Sequence, residues 1–251
     1  MIFRQLISVA RPAGGQGPDA FARHWEMSGA LLDEPNQRRG GWSRAERVDD
    51  YRPEGADRGL RVCLKKAYNH KRYSLAHPLG LLTYANEVAM IEAFRGAGIQ
   101  VPEVAFFAAR GRRCVLATVF LEGFTPLTAF LARWQERPQQ TRLQRRATIG
   151  RLAATVRRMH RARLMHNNLY PKHIFLRDSD LEPCLIDLEL SRRCWLSRSC
   201  RARDLEVLNR HTPGVSRTDK LRFLLEYAGE QRVCPAVRGL WGVLSRQMRM
   251  R

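Results

Sequence analysis

The chain has 251 residues, enough for one large domain or for two closely joined lobes. Hydrophobic residues make up 44% of it, but charged residues interrupt them throughout, which excludes a membrane span of roughly 18 apolar residues. The formal net charge of +20, from 44 Lys and Arg against 24 Asp and Glu, predicts a polyanionic partner such as nucleic acid or an anionic lipid surface.

The N-terminus and the cysteines indicate a protein of the cytoplasm. Residues 1–12 contain a short apolar patch, but they lack the basic region, long hydrophobic stretch and small-residue cleavage site of a secretory signal. Six cysteines are scattered along the chain without a Cys-x-x-Cys pair, so we expect neither a zinc site nor a redox centre. We therefore expect a cytoplasmic protein with reduced, mostly buried thiols.

The first half of the chain has the pattern of a strand-rich lobe. Apolar runs bounded by turn residues predict strands at 60–67, 104–109 and 113–121. One helix is predicted between the first two strands, at about 82–95, because apolar residues recur there at the helical spacing and glycines follow. These elements predict a small β-rich lobe over about 30–121.

The second half of the chain is mainly helical. Its longest predicted helix covers 141–163, where apolar residues form one stripe. Residues 173–176 and 183–188 flank an acidic turn and are predicted as the two strands of a hairpin. Three shorter helices are predicted at 204–210, 218–228 and 235–250. The whole pattern predicts the α+β class, in which a larger α-helical lobe, about 124–251, follows the small one.

A lysine on a predicted strand and a glutamate on the following helix are candidates for phosphate binding. Lys65 closes the apolar run at 62–64, and a lysine in that place can serve as a point charge for phosphate. Lys66 competes for the same role. Glu87 lies on the predicted helix, where its carboxylate can pair with Lys65 and hold the ammonium toward phosphates.

Two stretches in the second half carry most of the chemistry. The first, at 166–176, reads His-Asn-Asn-Leu-Tyr-Pro-Lys-His-Ile-Phe-Leu and runs from a helix end through a polar loop into a strand. The second, at 185–189, reads Leu-Ile-Asp-Leu-Glu. If this second segment is extended, Asp187 and Glu189 share one face and offer two hard oxygen ligands of the kind that Mg²⁺ prefers.

These two stretches resemble the lipopolysaccharide kinase family, whose members are relatives of the eukaryotic-type protein kinases. The resemblance covers about residues 36–210. It implies a two-lobed protein-kinase-like fold, with ATP and Mg²⁺ bound between the lobes and a hinge at 118–123. It also implies that the protein phosphorylates a Kdo or heptose sugar of the lipopolysaccharide core.

An early segment adds to this resemblance. Residues 35–43, Pro-Asn-Gln-Arg-Arg-Gly-Gly-Trp-Ser, are similar to the opening segment of that family and occupy the place of the kinase glycine-rich loop. The backbone of such a loop can approach phosphates closely. The resemblance therefore makes Gly40, Gly41 and Ser43 candidates for nucleotide binding, in addition to the lysine and the glutamate described above.

The chain departs from the kinase pattern at two positions. Kinases with the His-Arg-Asp motif place a catalytic aspartate where this chain has Asn168, and a metal-binding asparagine where it has His173. An amide cannot accept a proton at neutral pH, and imidazole is a poorer ligand for Mg²⁺ than oxygen is. Both changes argue against ordinary activity, although phosphoryl transfer depends chiefly on positioning and charge neutralisation.

Other residues are candidates for the missing roles. Glu189 or His166 can supply a base or a metal ligand, but we prefer to interpret His166 as a residue that anchors the loop through a hydrogen bond. The candidate catalytic residues are thus Asn168, His166 and Asp187, and the candidate metal ligands are Asp187, His173 and Glu189.

Two further residues have both a structural and a functional interpretation. Asp204 can cap the short helix that it begins, or, by resemblance, accept hydrogen bonds from the backbone of the loop at 166–168. We favour the cap. Trp195 is predicted to be a packing residue, and contact with a sugar or a membrane interface is the alternative.

Three hypotheses about function remain. The first is an ATP-dependent kinase for an anionic, membrane-bound glycolipid, with the basic surface in peripheral contact with the inner face of the inner membrane. The second is a pseudokinase that binds nucleotide or glycolipid without turnover, which Asn168 and His173 favour. The third is a nucleic-acid-binding protein. Nucleic acid is the least favoured partner, because no zinc-finger, RRM or KH signature accompanies the charge.

Overall fold

The computed structural model describes residues 18–38, 40–53, 58–74, 77–137, 139, 141–194 and 197–248, so that Trp195 lies outside the described residues. The described chain divides into two compact units. The first contains the residues up to Ile91 together with Pro102–Leu121, and the second contains Glu92–Val101 and the residues from Glu122 onward. The first unit is mainly β-sheet and the second mainly helical, which confirms the predicted α+β class.

Unit 1 is built on an antiparallel sheet. Its strands follow the order β1-β3-β4-β8-β7, and β2 pairs with β3 outside this order. A separate two-stranded sheet pairs β5 with β6. The bounds of the elements are α1 (Pro18–Glu26), β1 (Ala30–Leu31), β2 (Asn36–Arg38), β3 (Gly41–Tyr51), β4 (Leu60–Tyr68), β5 (Lys71–Ser74), β6 (His77–Leu82), α2 (Thr83–Gly96), β7 (Val104–Arg110) and β8 (Arg113–Val119).

Two apolar clusters cover the two faces of the central strand β4. Val62 and Leu64 are fully buried in one cluster, with Ala20 and Phe21 of α1. Ala67 is buried in the other cluster, which contains residues of α2. Because successive side chains point to opposite faces of a strand, this arrangement assigns even-numbered residues of β4 to the α1 face and odd-numbered residues to the α2 face.

The predictions for unit 1 are confirmed for β4, β7, β8 and α2, and they missed β3. This strand is 11 residues long, and it lies outside the three strands predicted for this lobe. Charged residues occupy both of its faces, and one of them, Glu46, is only 3% exposed. A buried carboxylate breaks the alternation of apolar and polar residues by which a strand is detected in sequence.

Unit 2 contains helices and two small sheets. One sheet has the order β12-β11-β9, and the other pairs β10 with β13, all antiparallel. Short 3₁₀ turns occupy Pro171–His173 and Leu188–Leu190. The remaining bounds are β9 (Phe124–Pro126), α3 (Leu127–Glu136), α4 (Arg142–Arg161), β10 (Leu164–Met165), β11 (Ile174–Arg177), β12 (Pro183–Leu185), β13 (Arg192–Arg193), α5 (Ser197–Arg210), α6 (Arg217–Ala228) and α7 (Pro235–Met248).

The predicted long helix, the hairpin and the C-terminal helices of unit 2 are confirmed, with two corrections. The strand predicted at 183–188 ends at Leu185, because Asp187 adopts a left-handed conformation with φ 60° and ψ 55°. The prediction that Asp187 and Glu189 lie on one extended segment is therefore wrong. Helix α5 begins at Ser197, so Asp204 lies inside the helix and the prediction that it caps the helix is also wrong.

The described cysteines include both free thiols and a disulfide-bonded residue. Four cysteines are free thiols, of which Cys114 and Cys184 are fully buried, and burial raises the pKa of each to about 12. Cys194 is disulfide-bonded, so the expectation of reduced thiols is wrong at this position. No helix in the described part of the chain is both long enough and apolar enough to cross a membrane.

Candidate active site

The ion pair predicted in unit 1 is present. Lys65 lies on the α2 face of β4, and its Nζ atom donates a hydrogen bond of 2.7 Å to Oε1 of Glu87 on α2. The glutamate side chain is 3% exposed and the lysine side chain 15%. Nζ also lies 5.7 Å from the centre of the Tyr84 ring. These contacts hold a partly exposed ammonium in one place, which a phosphate-binding lysine requires.

Lys66 is on the opposite face of β4 and is buried. Its ammonium donates to the backbone carbonyl of Met27 and lies 3.5 Å from Oε2 of Glu46. Burial lowers the pKa of Lys66, and the nearby charge of Glu46 opposes this shift. The alternation along the strand thus decides between the two lysines, because only Lys65 keeps solvent access.

The glycines predicted to contact phosphate lie at the turn between β2 and β3. Gly40 has a φ of 73°, a conformation that favours glycine. At Gly41 a Cβ atom would lie 2.5 Å from the carbonyl oxygen of Asn69, so the two chain segments can approach only without a side chain. Ser43 is already inside the sheet and is 8% exposed. The structure explains Gly41 through its contact with Asn69, and nucleotide contact by Gly40, Gly41 and Ser43 stays a prediction.

In unit 2, Asp204 of α5 anchors the polar loop that contains the signature stretch. Its Oδ2 atom accepts a hydrogen bond of 2.8 Å from the backbone N–H of His166, and its Oδ1 atom accepts one of 2.8 Å from that of Asn167. The aspartate is fully buried. The interpretation drawn from the family resemblance is therefore the correct one for Asp204.

A histidine and a tyrosine extend this anchor, and the sequence analysis missed both. His160 of α4 places Nε2 at 3.2 Å from Oδ2 of Asp204 and Nδ1 at 2.8 Å from the hydroxyl of Tyr227. A carboxylate oxygen accepts, so Nε2 carries a proton and donates it to Asp204, while Nδ1 shares the second hydrogen bond with the hydroxyl. Burial raises the pKa of Tyr227 to about 12, which keeps the donor proton in place.

Replacing Asp204 with Asn is expected to lower the free energy of unfolding by about 3 kcal/mol or more, because an amide group then faces a backbone N–H in a buried place. Urea unfolding measures this change. Glu206→Gln is the matched control on the same helix, since it weakens a partly exposed ion pair with Arg210, worth less than about 1 kcal/mol. Equal losses in the two variants would contradict the anchoring role.

Asn168, the last residue of this loop, contacts both His173 and Asp187. Asn168 donates from Nδ2 to Oδ2 of Asp187 at 2.9 Å, and its backbone carbonyl accepts from Nδ1 of His173 at 2.8 Å. Nδ1 therefore carries a proton. Nε2 of His173 lies 3.3 Å from the same Oδ2 atom. Nε2 either carries a second proton, which makes an ion pair, or presents a lone pair toward a cation shared with Asp187.

This geometry agrees with only part of the predicted metal site. No three His, Cys, Asp or Glu side chains form a metal-binding group among the residues described, so Asp187, His173 and Glu189 do not form such a group. Mg²⁺ at phosphate-transfer sites is usually held by one or two carboxylates, with phosphate oxygens and water completing its shell. Asp187 fits that requirement. Glu189 stays a prediction without the extended segment that motivated it.

His166 is fully buried and holds the loop to the chain that precedes Asp187. Its Nε2 atom lies 3.0 Å from the carbonyl oxygen of Ile186 and donates to it. Burial lowers the pKa of His166 below the ordinary value of 6.5, and the charge of Asp204 opposes this shift. A buried neutral imidazole favours the anchoring interpretation, and a catalytic role for His166 stays a prediction.

The depressed pKa of His166 makes stability depend on pH. Below about pH 6.5 the unfolded chain binds a proton that the folded chain does not, so the free energy of unfolding should fall by up to about 1.4 kcal/mol per pH unit for each such group. Urea unfolding at about pH 5.5 and 7.5 measures the slope. Burial also lowers the pKa of His24, so His166→Gln should reduce the slope without abolishing it. An unchanged slope would contradict the assignment.

The ion pair, the anchored loop and the aspartate after the hairpin are features of a protein-kinase-like fold. A solved aminoglycoside-3'-phosphotransferase of type VIII is similar to the chain with a TM-score of 0.52 and 16% identity, over 90% of this chain and 96% of its own. That likeness shows the fold alone. The chain belongs to the lipopolysaccharide kinase (Kdo/WaaP) family, whose model matches residues 22–227.

Similar proteins agree with this membership. A solved structure of WaaP in complex with acyl carrier protein has a TM-score of 0.70 and 25% identity, and covers 94% of this chain and 92% of its own. Protein InaA of Escherichia coli K12 is 27% identical over 206 residues, 80% of this chain and 92% of that protein. Lipopolysaccharide core heptose(I) kinase WaaP of Pseudomonas aeruginosa is 29% identical over 167 residues, 61% of this chain and 62% of that kinase.

Proposed function

We propose that the chain binds ATP with Mg²⁺ and transfers phosphate to a Kdo or heptose sugar of the lipopolysaccharide core, or to another anionic glycolipid. The observation that carries this proposal is the 2.7 Å ion pair between Lys65 and Glu87, in a chain of the lipopolysaccharide kinase family. The buried carboxylate of Glu87 holds the partly exposed ammonium of Lys65 in place, and an ammonium held in this way can bind the phosphates of a nucleotide.

Each retained residue has a role in this proposal. Lys65 binds the phosphates, Glu87 orients the ammonium, and the backbone at Gly40 and Gly41 approaches the phosphate oxygens. Asp187 holds Mg²⁺, with His173 beside it. The bound metal supplies charge neutralisation for phosphoryl transfer.

In this proposal, Asn168 limits the rate of phosphate transfer. Its amide donates to Asp187 and thereby orients the carboxylate, but it cannot take the proton of an acceptor hydroxyl. General-base catalysis is typically worth about 10²–10⁴-fold. The proposed kinase is therefore slow, and most of its acceleration comes from positioning and charge.

Calorimetric titration of the purified protein with ATP, with Mg²⁺, with Mn²⁺ and in EDTA, tests nucleotide binding. Transfer of labelled γ-phosphate to purified lipopolysaccharide tests the reaction. We expect metal-dependent binding in the micromolar range and slow labelling of the glycolipid. No ATP binding under any condition would refute the proposal.

A pseudokinase is the second candidate, and the hydrogen bond from Asn168 to Asp187 favours it, because a donor occupies the place of the missing base. Tight ATP binding without any labelling of lipopolysaccharide would select this candidate. Acyl carrier protein is a partner to include in the same assays, since WaaP was solved in complex with it. Coelution of the two purified proteins on size exclusion would support such a partnership.

We also propose a cytoplasmic location with peripheral contact to the anionic inner face of the membrane. The support is the net charge of +20, since an anionic bilayer attracts basic surfaces. Nucleic acid is the rival polyanion. Duplex DNA and anionic vesicles, compared at the same ionic strength, distinguish the two.

A further inference from the structure

The two-stranded ladder β10–β13 carries exposed arginines beside the loop at 166–168. Leu164 pairs with Arg193, and Met165 pairs with Arg192. Both residues of β10 are buried, whereas both arginines of β13 are exposed. β10 leads directly into His166. The ladder therefore presents two guanidinium groups next to the start of the proposed catalytic loop.

The segment before β13 is tied to the same loop. The side chain of Asn167 donates to the carbonyl oxygen of Leu190 at 2.8 Å, and the hydroxyl of Ser191 donates to the carbonyl oxygen of His166 at 3.1 Å. Ser191 is fully buried, while Leu190 is 38% exposed. An exposed leucine and two exposed arginines thus belong to one backbone segment that is hydrogen-bonded to the loop.

Neither Arg192 nor Arg193 forms an ion pair within the part of the chain that the structure describes. Some arginines elsewhere are paired with an acid on their own helix, as Arg210 is with Glu206 and Arg222 with Asp219. Arg163, just before β10, is also exposed.

We propose that Leu190, Arg192 and Arg193, with Arg163 beside them, form a surface that docks on the phosphate headgroups of an anionic bilayer. Arginine presents a planar fork of donors that suits bidentate contact with phosphate. An exposed leucine two residues before a pair of arginines can enter the boundary between headgroups and acyl chains. We call these four residues the docking surface.

Docking through these four residues would turn the loop at 166–168 toward the lipid surface. Because the loop at 166–168 is bonded to the docking segment, a protein seated through these residues brings Asn168 close to the lipid surface. The acceptor hydroxyl would then belong to a lipid-borne group and not to a free sugar. The inference rests on the proposed function for the identity of the acceptor, but the binding itself requires neither ATP nor transfer.

Cosedimentation with vesicles tests the docking surface. We expect wild-type protein to bind vesicles of phosphatidylcholine mixed with phosphatidylglycerol and to bind vesicles of phosphatidylcholine alone only weakly. In the double variant Arg192→Gln, Arg193→Gln, affinity for the anionic vesicles should fall roughly 30-fold, since each basic residue near such a surface contributes roughly fivefold. Binding should persist in the presence of millimolar inorganic phosphate, because a bilayer offers many headgroups at once.

The double variant Arg142→Gln, Arg146→Gln is the matched control. Both arginines are exposed at the start of α4, and Arg142 lies about 28 Å along the helix from its last residue, Arg161. Both double variants lower the net charge by two, and we expect less than a threefold loss from the control. Equal losses from the two pairs would overturn the proposal, as would no preference for anionic vesicles.

Two further readouts separate this inference from the proposed function. ATP binding by the Arg192→Gln, Arg193→Gln variant should equal that of wild type, so a loss of vesicle binding cannot come from a damaged nucleotide site. Vesicle binding by wild type in the absence of ATP supports the docking surface even if ATP binding fails. A larger loss of duplex DNA binding than of vesicle binding in the same variant would overturn the assignment to lipid.

Discussion

Asp187→Asn should weaken ATP binding in the presence of Mg²⁺ by about 100-fold or more, because even residues that only orient metal ligands typically contribute 10–100-fold. The variant keeps the shape of the side chain and can still accept the hydrogen bond from Asn168. Its ATP affinity in EDTA should equal that of wild type. Calorimetry in the two buffers measures both values.

The matched control for this variant is Asp178→Asn. Asp178 is exposed in the hairpin turn, where it accepts a hydrogen bond of 2.7 Å from the hydroxyl of Thr125. The control removes the same charge from the same unit, and we expect no change in ATP affinity. If Asp187→Asn binds ATP as tightly as wild type in Mg²⁺, Asp187 is not the metal ligand.

Lys65→Met provides the complementary result. Because its ammonium is proposed to contact phosphate directly, the variant should lose ATP affinity in Mg²⁺ and in EDTA alike. The remaining Glu87 would be buried without its cation, which should lower stability by about 1–3 kcal/mol. The double variant Lys65→Met, Glu87→Gln should recover stability but not ATP binding, and recovery of both would refute the role of Lys65.

Asn168→Asp is expected to raise the rate of phosphate transfer by about 10²–10⁴-fold, since it restores a general base at the position where kinases carry one. The new carboxylate would stand beside Oδ2 of Asp187, where the present donor lies at 2.9 Å. Repulsion between two carboxylates should lower the melting temperature in EDTA, and Mg²⁺ should restore it. Labelling of lipopolysaccharide and thermal unfolding measure the two effects.

Asn167→Asp is the matched control for that gain. It makes the same change one residue earlier, at a position with φ 62° that tolerates asparagine and aspartate. Its side chain contacts the carbonyl oxygen of Leu190 and not Asp187, so no increase in rate is expected. An equal increase in both variants would point to a general effect of charge. No increase in the Asn168→Asp variant would favour the pseudokinase.

The sequence predicted the long periodic elements and the residues with a local motif. Helix α4 and the hairpin of β11 and β12 are strongly patterned, and the loop at 166–168 was located through its resemblance to a family. Lys65 and Lys66 could not be separated by composition, because both are lysines at the end of one apolar run. Only the packing of α1 and α2 on opposite faces of β4 distinguishes them.

The residues that sequence reasoning missed are those whose partners are distant in the chain. His160 lies on the buried stripe of α4 and has no motif of its own, and its partner Tyr227 is 67 residues away. Asp204 was predicted at the start of a short helix, whereas α5 begins seven residues earlier, at Ser197. In proteins, packing contributes more to the stability of a helix than local propensity does, so a short local window does not locate its first residue.

The left-handed backbone at Asp187 has a consequence for how this family can diverge. Glycine, asparagine and aspartate adopt a φ of 60° readily, whereas other residues pay a conformational cost of roughly 1–2 kcal/mol there. A mutation to glutamate would keep the charge yet strain the turn, whereas a mutation to asparagine would keep the turn and lose the charge. At this position, therefore, loss of the charge through Asp187→Asn leaves the backbone turn unstrained, whereas retention of the charge through Asp187→Glu does not.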